Sequence, residues 1–260
     1  MRLARGAIAE VIDAAEALRN TREATPERVH TLRRACRSAS VELNLLRGAI
    51  DEQAADRLQK ILTKLRRRAG SVRDLDVHLE IASELASGHE PPRRLQREIE
   101  EERPGHEQRL LAYLDKVAPR KLKRLRARLS PGETPDVGQV RDRVAERAAK
   151  WIARANRVLS RPLPAESALH ELRIDLKKLR VSLRTLRQLG VRGTKRKEAV
   201  IVEATRHLGR FHDVATLRER LESRPDADLP EIATLLRSLR SEEGNAVVRA
   251  RESLRRLRRV

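Results

Sequence analysis

Aromatic side chains are all but missing from this chain of 260 residues: Tyr113, Trp151 and Phe211 are the only three. Proteins that hold single-stranded nucleic acid stack its bases on aromatic rings, so a base-reading surface is not expected. Cysteine is scarcer still. A lone Cys36 excludes an internal disulfide framework and agrees with a reducing compartment. No apolar run approaches the roughly 20 residues of a membrane span, and the N-terminus lacks a signal-peptide core. A soluble, cytoplasmic protein with no membrane partner is therefore expected. Acid is in deficit as well: 38 Asp+Glu face 58 Lys+Arg, a formal net charge of +20.

What is present is Leu, Ala, Arg and Glu, with 11 Gly and 11 Pro gathered at a few points. No window alternates with period two, so the expected class is all-α. Breaks are expected at 21–26, 70–74, 88–92, 130–138, 162–167, 190–194, 209–213 and 225–230. Thr25-Pro26-Glu27 reads as a helix start, with Thr as cap, Pro in the first turn and an acid at the positive end of the dipole. Glu166-Ser167 opens a comparable helix. The polar, turn-rich stretch SPGETPDVG (130–138) is the natural midpoint. It divides the chain into a first unit over 1–130, a linker over 131–138 and a second unit over 139–260, each able to bury a core. The excess of base favours polyanion partners with steep salt dependence. Of the 58 basic residues 48 are Arg, whose planar fork suits phosphate oxygens.

The halves repeat. His30-Thr31-Leu32-Arg33 matches His170-Glu171-Leu172-Arg173, and Gly70-Ser71-Val72-Arg73-Asp74 matches Gly209-Arg210-Phe211-His212-Asp213, at nearly one offset. In the first copy Val29, Leu32, Cys36, Ala39, Leu43, Leu46 and Ile50 form an apolar seam, answered in the second by Leu169, Leu172, Leu176, Leu179, Leu183 and Leu186. One residue further along, the second copy reads His170, Arg173, Lys177, Arg180, Arg184 and Arg187, a cationic stripe about 100° around the helix from the seam. The first copy reads His30, Arg33, Arg37, Ser40, Asn44 and Arg47, with two positions neutral. Like charges at this spacing repel, so a stripe kept beside a core seam points to an anionic ligand. The plain alternative is a solvated flank that pairs with acids on neighbouring helices. Supporting cations follow at Lys60, Lys64 and Arg66-Arg67-Arg68, and at Lys195, Lys197, Arg206 and His207.

His30 and His170 are placed by this reading in the first turn of their helices, where a charged ring and free backbone N–H groups would favour an anion. Asp74 and Asp213 read as caps or as partners of stripe arginines. His212-Asp213 looks like the HD dipeptide of metal phosphohydrolases, but the matching position in the first copy is Arg73, which cannot ligate a metal. No other catalytic or metal-binding spacing stands out, and no cofactor is expected. The basic end, 249–260, carries Leu254 and Leu257 in a helical pattern, either as a docked last helix or as a partly free, polyanion-gripping tail.

With these residues laid out, the sequence resembles the CHAD family, the conserved histidine α-helical domain. The resemblance lies in VHTLRRACRSA (29–39), VRDLDVHLE (72–80), LHELRIDLKKLRVSLRTL (169–186) and LGRFHDVATL (208–217). It implies a tandem duplication of two four-helix bundles related by a pseudo-two-fold, together one domain, and binding of inorganic polyphosphate by a basic surface. The candidate contacts are His30, Arg33, Arg37, Lys60, Lys64, Arg67, His170, Arg173, Lys177, Arg180, Arg184 and His207. Ser38, Ser40 and Asn44 stand where the family usually carries base, which would weaken the first copy. The triphosphatase domain linked to some family members is absent from these residues, so binding without hydrolysis is expected, with association to polyphosphate granules. Nucleic-acid binding through the backbone and a metal-dependent phosphohydrolase are the rival readings.

Overall fold

Helix follows helix along the chain: α1 (Arg2–Thr21), α2 (Pro26–Leu45), α3 (Glu52–Leu85), α4 (Arg93–Val117), α5 (Pro119–Arg128), α6 (Val137–Leu159), α7 (Glu166–Gln188), α8 (Thr194–Glu222) and α9 (Pro230–Leu257). This computed structural model describes residues 2–86, 92–117, 119–129, 136–160 and 165–257, and among them there is no strand. The all-α expectation holds. No described helix is long and apolar enough to cross a membrane.

Local chemistry explains several boundaries. Thr25 caps α2, its hydroxyl accepting from Arg28 N–H at 3.4 Å, and Pro26 opens the helix. Ala165 precedes α7 without a side-chain cap. Asp51 starts α3 by accepting from Ala54 N–H at 2.8 Å, and that bond holds its carboxyl below the usual range. The turn over 46–51 escapes a reading of apolar spacing because Leu46 and Ile50 stay buried after α2 has ended. Gly48 makes the turn at φ 88°. The breaks expected at 21–26, 190–194 and 225–230 fall between helices. Those at 88–92, 130–138 and 162–167, with most of the 131–138 linker, lie wholly or partly outside the described residues. The breaks expected at 70–74 and 209–213 do not exist: α3 and α8 run straight through them. A single interior Gly costs a helix only about 1 kcal/mol, which packing readily offsets.

Two compact units result, one from Met1–Asp76 with Glu98–Arg143, the other from Val77–Arg97 with Val144–Val260. They differ from linear halves because α3, 34 residues and about 51 Å long, outlasts the first core and contributes its last turns to the second. In the first unit α1 packs on α2 and α5, with Ile8, Leu18, Leu32, Leu43, Leu58, Leu62 and Leu65 fully shielded. In the second, Leu169, Leu172, Leu176, Leu179 and Leu183 of α7 meet Ile201, Ala204, Leu208 and Phe211 of α8 and Ala246, Ala250 and Leu254 of α9. Every residue of both apolar seams is buried. The basic C-terminal stretch is thus a docked helix through 257, its small residues letting α9 lie close to α8; residues 258–260 lie outside the described residues.

Candidate functional site

The first hairpin is α2 against α3. Ser40 meets Gln59 near the turn, while Arg33 meets Asp74 farther out, so the helices run antiparallel. Arg33 Nη1 lies 3.2 Å from Asp74 Oδ1, and its guanidinium passes 3.8 Å from where a Cβ on Gly70 would stand. At that distance the arginine lies across α3 in ordinary contact. The two neutral stripe positions are occupied locally: Ser40 Oγ donates to Gln59 Oε1 at 2.5 Å, Gln59 Nε2 donates to Ser40 O at 2.7 Å, and Asn44 Nδ2 donates to the same carbonyl at 3.0 Å. Arg37 is half-buried on the same face of α2, and Arg47 closes on Asp56. Lys60, Lys64 and Arg67 share a face of α3 and, with Gln59 and Thr63, line an open groove of about 350 Å³.

The second hairpin, α7 against α8, repeats the plan. Arg173 Nη2 lies 3.6 Å from Asp213 Oδ1, with the arginine only 13% exposed, and Arg187 closes on Glu198. Lys177 is half-buried, while Arg180 and Arg184 are exposed. The stripe that reads as unbroken in sequence is therefore capped at both ends by acids from the next helix, in both hairpins. Asp74 and Asp213 are the partners that the sequence suggested, Asp56 and Glu198 are two that it did not, and the flank-pairing alternative is right for those four arginines.

Charge is distributed differently in the two hairpins. Where α2 has Ser40 and Asn44, α7 has Arg180 and Arg184. Where α3 has Lys60, Thr63 and Lys64, the corresponding positions of α8, 139 residues on, hold Ala199, Val202 and Glu203. The first hairpin carries its central cations on its second helix, and the second hairpin on its first. The expectation of a weaker first copy left out this compensation. Lys195 and Lys197 are exposed on the opening turn of α8, as is Arg206 further along. His207 is half-buried on α8, where burial first and then Arg206 push its ring below its ordinary 6.5, with Glu203 opposing.

The histidines lie one turn later than expected. Each is the fifth residue of its helix, after Val29 N–H and Leu169 N–H have already closed on Thr25 O and Ala165 O, so the free N–H groups precede them. Burial first, then Arg73, Arg34, Arg33 and Arg37, push the His30 ring below its ordinary 6.5. Burial, Arg173 and Lys177 do the same for His170, with Glu171 opposing. The residue facing each histidine was not a predicted contact: Arg73 in the first hairpin, His212 in the second. His170 Nδ1 and His212 Nδ1 approach to 3.4 Å, with ring centroids 4.7 Å apart. A hydrogen bond between them needs one ring to donate and the other to accept. The repeated Gly-x-x-(Arg/His)-Asp segment was the available signal.

Among the described residues no group of three or more His, Cys, Asp or Glu is arranged to hold a metal. The aromatics are committed elsewhere: Phe211 is in the second core, Trp151 packs against it, and Tyr113 lies under the Arg68 guanidinium at 5.0 Å. What the arrangement offers chemically is two antiparallel hairpins, each with a histidine, an Arg–Asp pair and a central run of cations.

The CHAD domain profile matches residues 2–222. No protein of curated function matches the sequence. Among solved structures, PptA from Streptomyces chartreusis is similar at a TM-score of 0.72 and 17% identity, over 99% of this chain and 97% of its own. The CHAD domain from the plant Ricinus communis gives 0.63 at 17% identity, over 97% of this chain and 91% of its own. At such identities the likeness is one of fold. The profile match spans most of the chain and takes in both hairpins with their histidines and Arg–Asp pairs, and by it the chain belongs to the CHAD family.

Proposed function

We propose that this protein binds inorganic polyphosphate without hydrolysing it, through the cations of the α2–α3 and α7–α8 hairpins. The observation that carries the reading is the recurrence, in both hairpins, of one assembly: histidine, Arg–Asp pair and a central cationic run placed beside the core seam. A tandem duplication of a helical unit accounts for it. The Asp fixes each inner arginine, while Lys60, Lys64 and Arg67, or Lys177, Arg180 and Arg184, meet successive phosphates. Each contact is a charge-assisted hydrogen bond, and release of condensed counterions makes the sum strong and salt-sensitive. A ligand recognised by charge and spacing needs no aromatic platform, in keeping with the buried or covered rings. The family relationship agrees with a polyphosphate-related role.

The test is competition at about 150 mM salt, where screening beyond about 8 Å removes diffuse attraction. Labelled long-chain polyphosphate is challenged with equal charge equivalents of duplex DNA, tRNA and heparin. Retention of polyphosphate is expected. Ready displacement by tRNA or DNA would overturn the reading in favour of nucleic-acid backbone binding. The triple change Lys177→Ala, Arg180→Ala and Arg184→Ala should weaken polyphosphate binding at least tenfold with folding intact. Arg173 is left alone because it is mostly buried on Asp213 and its loss would confound folding with binding.

A further inference from the structure

A second cavity lies beyond the stripes, where α3 faces α4. Arg67, Arg68, Ser71, His106 and Arg109 line it, with a volume of about 200 Å³. None of the lining residues is acidic. The carboxylate beside it, Glu102, is engaged with His106 Nε2 at 3.0 Å. Three guanidiniums remain. Arg68 is pinned as the wall, its guanidinium over Tyr113 at 5.0 Å and its Nη1 donating to Arg109 O at 3.3 Å. Its Nε is shielded from solvent and has no hydrogen-bond partner among the described residues. Arg109 folds back along its own helix, Nη1 lying 3.8 Å from where a Cβ on Gly105 would stand. Ser71 adds a hydroxyl that already donates weakly to Arg67 O at 3.5 Å and can turn to a ligand.

We propose that this pocket receives the terminal phosphate of a linear oligophosphate. The inference rests on the polyphosphate reading, since it assigns a subsite to the same polymer. Interior phosphates of a linear chain carry a single charge each. A terminal phosphate has a second ionisation near 6, as in phosphomonoesters, and carries about −1.5 to −2 at neutral pH. The end of the chain is therefore the group that a cluster of three guanidiniums selects. The volume, equal to about six or seven waters at ~30 Å³ each, suits one or two phosphate groups. Arg67 lines both this pocket and the groove of Lys60 and Lys64, so a chain seated by its end continues along roughly 10 Å of α3. The second hairpin keeps Arg206 at the place of Arg67 but differs at two other lining positions. The residue matching Ser71 is Arg210, which is taken up by Glu84 at 2.8 Å and Glu242 at 3.0 Å. The residue matching Arg68 is His207, a half-buried imidazole in place of a guanidinium.

The experiment compares, on the full chain, linear tripolyphosphate with cyclic trimetaphosphate, which has as many phosphates but no end, and with adenosine monophosphate. Wild-type protein should prefer the linear form by about tenfold, the effect of one charge-assisted hydrogen bond. Ser71→Ala with Arg109→Ala should abolish that preference. Arg124→Ala, an exposed change on α5 with the same loss of charge, should keep it. Adenosine monophosphate should bind more weakly than tripolyphosphate, because it leaves the Lys60–Lys64 groove empty. Equal binding of linear and cyclic forms, survival of the preference in the double variant, or equal binding of adenosine monophosphate would each overturn the assignment. The two readings fail separately: displacement of long-chain polyphosphate by tRNA overturns the polymer, whereas the linear-to-cyclic ratio decides the pocket.

Discussion

Burial first, and then the surrounding cations, hold the His30 and His170 rings below the ordinary 6.5, so both favour the neutral form near neutrality. A phosphate beside either ring reverses the balance, because the charged ring then has an acceptor. Binding therefore takes up protons, and affinity should rise as the pH falls from neutrality through 6.5. Calorimetry in buffers of different ionisation heat should show that uptake, and His170→Gln should reduce it. For stability of the free protein the sign is opposite. The unfolded chain charges its histidines first, so the contribution is present above 6.5 and is lost on acidification below it. Thermal unfolding on either side of 6.5 should show the loss, and polyphosphate should relieve it. Cys36 makes a separate prediction. Burial pushes its thiol up to about 12, against a small opposing effect of Arg66, so a thiol reagent should label native protein no faster than the chain unfolds. Its place on the seam was legible from spacing alone. The partners of the histidines were not, since Arg73 and His212 come from another helix and look in sequence like the remains of a metal motif.

At the scale of elements, periodicity located the buried faces well and the ends of helices less well. Both seams are buried to the last residue, because apolar side chains recurring every 3.6 residues gather on one face of a helix, and that face is driven out of water. The glycines misled. Gly70 and Gly209 read as breaks yet lie inside α3 and α8, because a residue that permits a turn does not require one. Neither is needed for a special backbone: a Cβ at Gly70 would make ordinary contact with the Arg33 guanidinium, and one at Gly209 would meet nothing within 4 Å. Gly209→Ala should thus stabilise the protein by about 0.5–1 kcal/mol in denaturant midpoint measurements. Gly70→Ala should gain a similar amount with Arg33 still on Asp74. Thr25→Ala should cost about 1 kcal/mol through the lost cap of α2. The stripes were legible as charge and only in part as balance: Asp74 and Asp213 could be read as partners of stripe arginines, whereas Asp56 and Glu198, also on the following helix, stand at no landmark of the sequence.

For the whole molecule, a net charge of +20 sets the attraction and its sensitivity to salt. Log affinity for polyphosphate should fall linearly with log salt, and the Lys177, Arg180 and Arg184 triple variant should flatten the slope by about 2 to 3. The all-α class was readable from composition; the passage of α3 from one unit into the other was not, because helical periodicity does not say where one core stops. The docking of α9 was open in the sequence and is settled by Ala246, Ala250 and Leu254 in the second core, although α9 begins beyond the family match. On the duplication proposed above, the exchange of cations between helices, α3 in one hairpin and α7 in the other, bears on descent. Selection that acts on a face tolerates drift at any one column, provided that charge lost from one helix is regained on its neighbour. Aligned positions then diverge while the potential that a ligand meets is inherited, and kinship in such a lineage is better traced by surface than by residue.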